Sequence, residues 1–301
     1  MLLGILGGVA AAAFNSVDFL FRSRFLLCYK SPVRLLVVGS VTMMVMSLPF
    51  LFLLVPFASV PSIGKLILTT LGASCFFLIG QGSFMTTLRY MEASRLSSLL
   101  GLKILVLSVI FMLSGHWLNR WQLLAVFVAA TAAVMFNWTA SKPIPWKGWI
   151  FLLLTLVGFS VTDMFETSLV EQIRECSNFS NFRSAMAVVP LLYTSLGLLL
   201  LPGIFFYKPG KEQFCKAFPH AVLWLISQVF LLACFGMVLP VFGNVILATR
   251  GIFSVILGAL LPLFGLAALD SQIPAKMWIR RGIAALLMLA AIAIYSFATV
   301  K

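Results

Sequence analysis

Apolar residues along this chain come in runs of about twenty, parted by short clusters of charge, proline and glycine. A run of that length is what a helix needs to cross a hydrocarbon core of about 30 Å at about 1.5 Å per residue. The pattern predicts spans at Leu2–Phe21, Leu35–Phe57, Ile67–Leu88, Leu96–Leu113 and Trp121–Trp138, then at Gly148–Val170, Ala185–Phe206, Ala221–Leu239, Ile252–Leu269 and Ile283–Val300. A basic, proline-containing break, SKPIPWKG from Ser141 to Gly148, divides the two sets. EQIRECSNFSNFRS, from Glu171 to Ser184, is the longest polar stretch and predicts an ordinary loop. The apolar beginning lacks a basic n-region, so it reads as a retained helix rather than a cleaved signal.

The two sets of five resemble one another. FNSVDF from Phe14 compares with FSVTDM from Phe159, which matches Asp18 to Asp163. Arg34 and Arg183 then open the second helix of each set, and further on Ser97, Gly101 and Trp121 match Ser254, Gly258 and Trp278. Because five is odd, consecutive five-helix units must point in opposite directions across a bilayer, the inverted repeat on which many secondary transporters build one central site. The expected fold is an all-α integral membrane protein of ten transmembrane helices, arranged as two inverted five-helix repeats over residues 1–142 and 143–301.

Composition sharpens this. The chain is 62% hydrophobic and only 10% charged, against about 45–50% and about 25% in soluble domains, so the bilayer is its expected partner. The net charge of +13 comes from Lys and Arg that, Arg280 and Arg281 apart, stand singly between apolar runs. That is a topology signal and not a nucleic-acid surface. Most of them fall in the odd-numbered loops, which by the positive-inside rule puts those loops in the cytoplasm and both termini outside. Five cysteines without a C-x-x-C pair predict neither a zinc site nor a disulfide framework. His116 and His220 are the only histidines, and no metalloprotease, nucleophile-elbow or nucleotide-loop motif is present. The expectation is therefore no enzyme, no metal and no cofactor.

The segment TTLRYMEASRLSSLLGL from Thr86 to Leu102 is similar to the short hinge before the fourth helix of EamA-type members of the drug/metabolite transporter superfamily. GHWLNRWQLLAVFVAATAAV, from Gly115 to Val134, is similar to the last helix of their first repeat, and Arg34 and Arg183 match their usual basic residues. The resemblance covers nearly the whole chain. It departs at His116, where the family usually has an acid, while Asp270 keeps the acid before the tenth helix. It implies a bacterial inner-membrane carrier of amino acids or other small metabolites, with both termini in the cytoplasm, the reverse of the orientation read from charge.

Ionisable groups inside spans cost at least about 2.5–3.5 kcal/mol each and usually face a bundle interior or a wet cavity. Asn15 with Asp18, and Asp163 with Glu166, are three apart and share a helix face. These acids either bind a proton, a cation or a substrate amine, bond other helices, or sit in the headgroup layer. Lys103, seven residues into its span, either snorkels or meets a substrate carboxylate or phosphate. Arg95 and Arg250 open the fourth and ninth helices, where they signal topology, contact lipid phosphate or recognise an anion. Gln81, Gln228 and Asn244 line a pathway or bond between helices. The function expected is secondary transport of a small polar metabolite by alternating access, with a coupling proton or cation as a further partner. A lipid or lipid-linked-sugar translocator is the alternative.

Overall fold

A computed structural model of the chain describes residues 1–57, 59, 62–87, 90, 96, 99–137, 145–253, 256 and 275–300. Arg95, Ser97, Ser254, Gly258, Asp270 and most of the predicted ninth span lie outside them. Among the described residues every regular element is helical: α1 (Leu2–Tyr29), α2 (Pro32–Leu54), α3 (Ile63–Thr87), a 3-10 turn (Leu100–Leu102), α4 (Lys103–Leu113), α5 (Arg120–Asn137), α6 (Trp146–Ser177), α7 (Asn181–Leu200), α8 (Pro202–Tyr207), α9 (Lys211–Val238), α10 (Pro240–Leu247) and α11 (Ala275–Val300). Six of them, α1, α2, α3, α6, α7 and α9, are long and apolar enough to cross a membrane. Their outer faces agree with that role. Phe52 and Leu53 on α2 are 72% and 76% exposed, and Leu68 on α3 is 73% exposed, a cost in water that lipid removes.

Several boundaries differ from the sequence pattern, and capping chemistry explains them. α1 continues eight residues beyond the predicted Phe21, because single charges among apolar residues do not stop a helix and no Gly or Pro intervenes before Pro32. Lys30 then takes a left-handed conformation (φ 48°), and the Ser31 hydroxyl caps α2 by accepting from the Arg34 amide at 3.3 Å. The loop expected over Glu171–Ser184 is mostly helix. α6 runs to Ser177, Asn178 is left-handed (φ 54°), and Ser180 caps α7 through the Arg183 amide, again at 3.3 Å. The two connections, each preceding an arginine matched in the sequence comparison, are thus built alike. Asn119 and Gln122 form a reciprocal capping box ahead of α5, at 2.8 and 2.9 Å.

α9 starts ten residues before the predicted Ala221, and helix resumes at Pro240 where a connection was expected. Leu239, between them, has φ 71° and ψ 152°, a region that glycine occupies at little cost and other residues at about 1–3 kcal/mol. With 44% of its surface exposed, its side chain contributes little packing. Leu239→Gly is therefore expected to raise the melting temperature in detergent, and Leu239→Val to lower it.

Polar side chains inside these helices are mostly satisfied locally. Ser16, Thr42, Thr70, Ser108 and Thr162 each donate the hydroxyl proton to a carbonyl one turn back, at 2.7–2.9 Å.

The chain divides into two compact units. The first comprises Met1–Ser74 and Phe165–Val238; the second comprises Cys75–Met164 and Leu239–Lys301. In the first, α1 lies antiparallel along α9 and α2 along α7. Small residues permit the approach: a Cβ on Gly4 would stand 2.6 Å from Val238 Cγ1, and one on Gly197 2.3 Å from Met44 Cβ. In the second unit α5 lies antiparallel along α11, with α10 against α4, α5 and α11. There α3 and α6 cross at Gly80 and Gly158, where a Cβ on Gly158 would meet the Gly80 Cα and N atoms at 2.7 Å.

Candidate functional site: two buried charge clusters

The matched acids Asp18 and Asp163 are 0% and 5% exposed, so both are enclosed by protein. Each meets a cation, and each lies in a different compact unit.

In the second unit the cluster is Lys103, Asp163 and Asn244. The Lys103 ammonium donates to both carboxylate oxygens of Asp163, at 2.9 and 2.7 Å. Asn244 donates from Nδ2 to Asp163 Oδ2 at 2.6 Å and to the Pro240 carbonyl at 2.9 Å. Three elements position these groups. The 3-10 turn ends at Lys103, α6 carries Asp163, and Pro240 restarts a helix one turn before Asn244. Lys103 is the first residue of α4, where the tightened backbone of Leu100–Leu102 passes into regular α-helix. Its side chain keeps 18% of its surface exposed. The cluster is neutral, so a ligand anion must take Lys103 from Asp163, and a ligand cation must take Asp163 from Lys103. A ligand carrying both charges replaces the two halves of the pair at once, without leaving either buried ion alone.

In the first unit the cluster is Asp18, Arg22 and His220. Asp18 lies about 24 Å along α1 from its beginning. The Arg22 Nε donates to Asp18 Oδ2 at 2.7 Å, while His220 Nδ1 is hydrogen-bonded to Asp18 Oδ1. The Arg22 guanidinium also stands 4.4 Å from the ring centre of Trp224, and the Trp224 indole donates to the Tyr193 hydroxyl at 2.6 Å. Asn15, one turn before Asp18, is buried on the same face, and its Oδ1 has no hydrogen-bond partner among the described residues.

Of the residues singled out by sequence, Lys103, Asp163 and Asn244 come together, as do Asn15 and Asp18. Glu166 is buried on α6 but belongs to the first unit, where its charge acts on the Tyr193 hydroxyl. Gln81 and Arg250 are half-buried in the second unit, on α3 and just beyond α10, and Arg95 lies outside the described residues. Sequence reasoning missed Arg22 and His220. The four-residue spacing of Asp18 and Arg22 was an available signal once α1 is known to reach that far. Nothing local marked His220. Among the described residues no three His, Cys, Asp or Glu side chains converge on a metal-sized site.

The fold defines an all-α, multi-pass membrane protein. No family model matches the chain, and no curated protein does. Among solved structures, one titled only "Crystal structure of protein" is similar over 98% of this chain and 96% of that one, with a TM-score of 0.67 at 12% sequence identity. That likeness is one of fold alone.

Proposed function

We propose that the protein is a secondary carrier of the drug/metabolite transporter superfamily, EamA type. It moves a small polar metabolite, amino-acid-like or otherwise bearing a carboxylate or phosphate, across the bacterial inner membrane. Ten spans form two inverted five-helix repeats, residues 1–142 and 143–301, which give alternating access without ATP hydrolysis. The observation that carries this reading is the Lys103–Asp163–Asn244 cluster. It is a buried pair of opposite charges, one member of which keeps an exposed surface, in a protein otherwise solvated by lipid. Such groups inside membrane helices mark substrate and ion pathways by default. A zwitterion exchanges with the internal pair, charge for charge. The likeness of the Ser31/Arg34 and Ser180/Arg183 connections supports the duplication.

The test is uptake of a metabolite panel by purified protein in proteoliposomes, comparing wild type with Lys103→Gln/Asp163→Asn. That neutral pair keeps a hydrogen bond and leaves no unmatched charge. It is expected to reach the membrane and melt within a few degrees of wild type, yet to lose at least tenfold in uptake. Unchanged uptake kinetics would remove the pair from the cargo site.

A second reading, a lipid or lipid-linked-sugar translocator, is favoured by one observation. The first unit has an open groove of about 360 Å³ whose lining is mainly apolar and includes Leu51, Ile67, Leu71, Leu191 and Leu198. Lipid scrambling by the same vesicles, without metabolite uptake, would decide for it.

A further inference from the structure

We propose that His220, held against Asp18, is the binding site of a coupling proton. The proposal rests on the carrier reading and adds to it the identity of the driving ion and the residue that takes it.

The geometry assigns the proton's place. Asp18 is fully buried and both of its oxygens are engaged, one by Arg22 and the other by His220. An ionised carboxylate only accepts hydrogen bonds, so Nδ1 of a neutral His220 carries the hydrogen that faces Asp18. The nitrogen left to take up a proton is Nε2. It points toward α2 at Gly39, where a Cβ would stand 3.2 Å from both Nε2 and Cδ2. The missing side chain is what makes room for the ring. Pro219, the preceding residue, has no amide hydrogen, so the Cys215 carbonyl one turn back loses its helical donor and α9 is weakened beside the site.

The charges around the ring come from every helix packed on it. α1 brings Asp18 and Arg22, α2 brings uncharged Gly39, and α7 brings Tyr193, bonded through Trp224. Glu166 on α6 acts on that same tyrosine hydroxyl. On α9 itself, Lys216 is exposed and paired with Glu212 at 2.7 Å.

With His220 neutral, Asp18 and Arg22 balance. A proton from the aqueous phase bonding to Nε2 sets two cations against one carboxylate. His220 and Asp18 become an ion pair across the α1–α9 seam, and Arg22 is released toward the Trp224 face it already covers. Departure of the proton to water reverses the exchange. One proton therefore changes both the tie between α1 and α9 and the position of a half-buried guanidinium, which is what an ion-coupled carrier requires of its coupling site. Imidazole suits the task because its ordinary titration, near pH 6.5, falls within the physiological range.

Trp224 supplies the readout. In wild-type protein reconstituted in lipid nanodiscs, tryptophan fluorescence is expected to show a transition between about pH 5 and about pH 8. That transition should be absent in Trp224→Phe, which identifies its source, and absent in His220→Gln, whose amide still donates to Asp18 but cannot take a proton. A Trp224-dependent transition that persists in His220→Gln, or none in wild type, overturns the assignment. In proteoliposomes holding a trapped pH-sensitive dye, any panel metabolite that moves should move protons with it in wild type, and His220→Gln should reduce that proton flux at least tenfold. Metabolite movement without proton flux in wild type overturns coupling and leaves the carrier standing. A His220-dependent fluorescence transition with no metabolite movement sustains the proton site and overturns the carrier.

Discussion

Gly158→Leu is expected to leave little or no monodisperse protein after extraction into detergent. Adding even the first carbon of a side chain puts it 2.7 Å from both Cα and N of Gly80 and 3.0 Å from the Phe76 carbonyl oxygen. All three are backbone atoms, so no rotamer change relieves the clash, and α3 and α6 have to separate along their crossing. Overpacked cores lose about 1–3 kcal/mol when side chains can give way; here they cannot, and the loss should exceed that range. Gly82→Ala is the control. It lies two residues further along α3 with open space around the added carbon, and its melting temperature should equal or slightly exceed that of wild type, since alanine favours a helix interior over glycine. Equal behaviour of the two variants would contradict the helix crossing.

Asp163→Ala should be the most damaging single change of charge in the second unit. It strands the Lys103 ammonium, whose side chain is only 18% exposed, and removes the acceptor of one Asn244 hydrogen bond. Breaking a buried ion pair from one side costs about 3–5 kcal/mol, whereas replacing both partners with apolar groups of similar size is often neutral. Lys103→Met/Asp163→Leu is accordingly expected to recover most of the thermal stability lost in Asp163→Ala while remaining inactive in uptake. The comparison separates what the pair does for the fold from what it does for cargo. If the double variant melts as low as the single one, the pair is held by more than its mutual charge.

The existence of the helices was legible because burial in lipid imposes one requirement, about twenty apolar residues in succession, and this chain meets it repeatedly. Their ends were not. Hydropathy marks where a helix leaves the oil, and α1 carries on for two further turns through Arg22 and Arg24 before Lys30 turns left-handed. The same blind spot hid the second turn of the Asp18 cluster, since Arg22 falls just past the predicted end of that span at Phe21. Asp18, Asp163, Lys103 and Asn244 stood out because polar groups in apolar runs need a reason. His220 sits beyond the predicted start of its span and acquires its meaning only from α1, which precedes it by some two hundred positions. The tightened turn at Leu100–Leu102 and the positive φ of Leu239 were equally invisible, since leucine signals neither.

The Asp18–Arg22 bond joins residues of one helix, and this bears on how the protein is made. When α1 leaves the ribosome and enters the bilayer, α9 has not been synthesised and the imidazole that completes the cluster does not exist. The nascent segment carries a counterion for Asp18, which can be inserted already paired. Asp163 is paired with Lys103, and by the time it emerges that lysine has already been translated. In both cases the cation is at hand before the acid has to be accommodated, and the neutral partners, His220 and Asn244, arrive last.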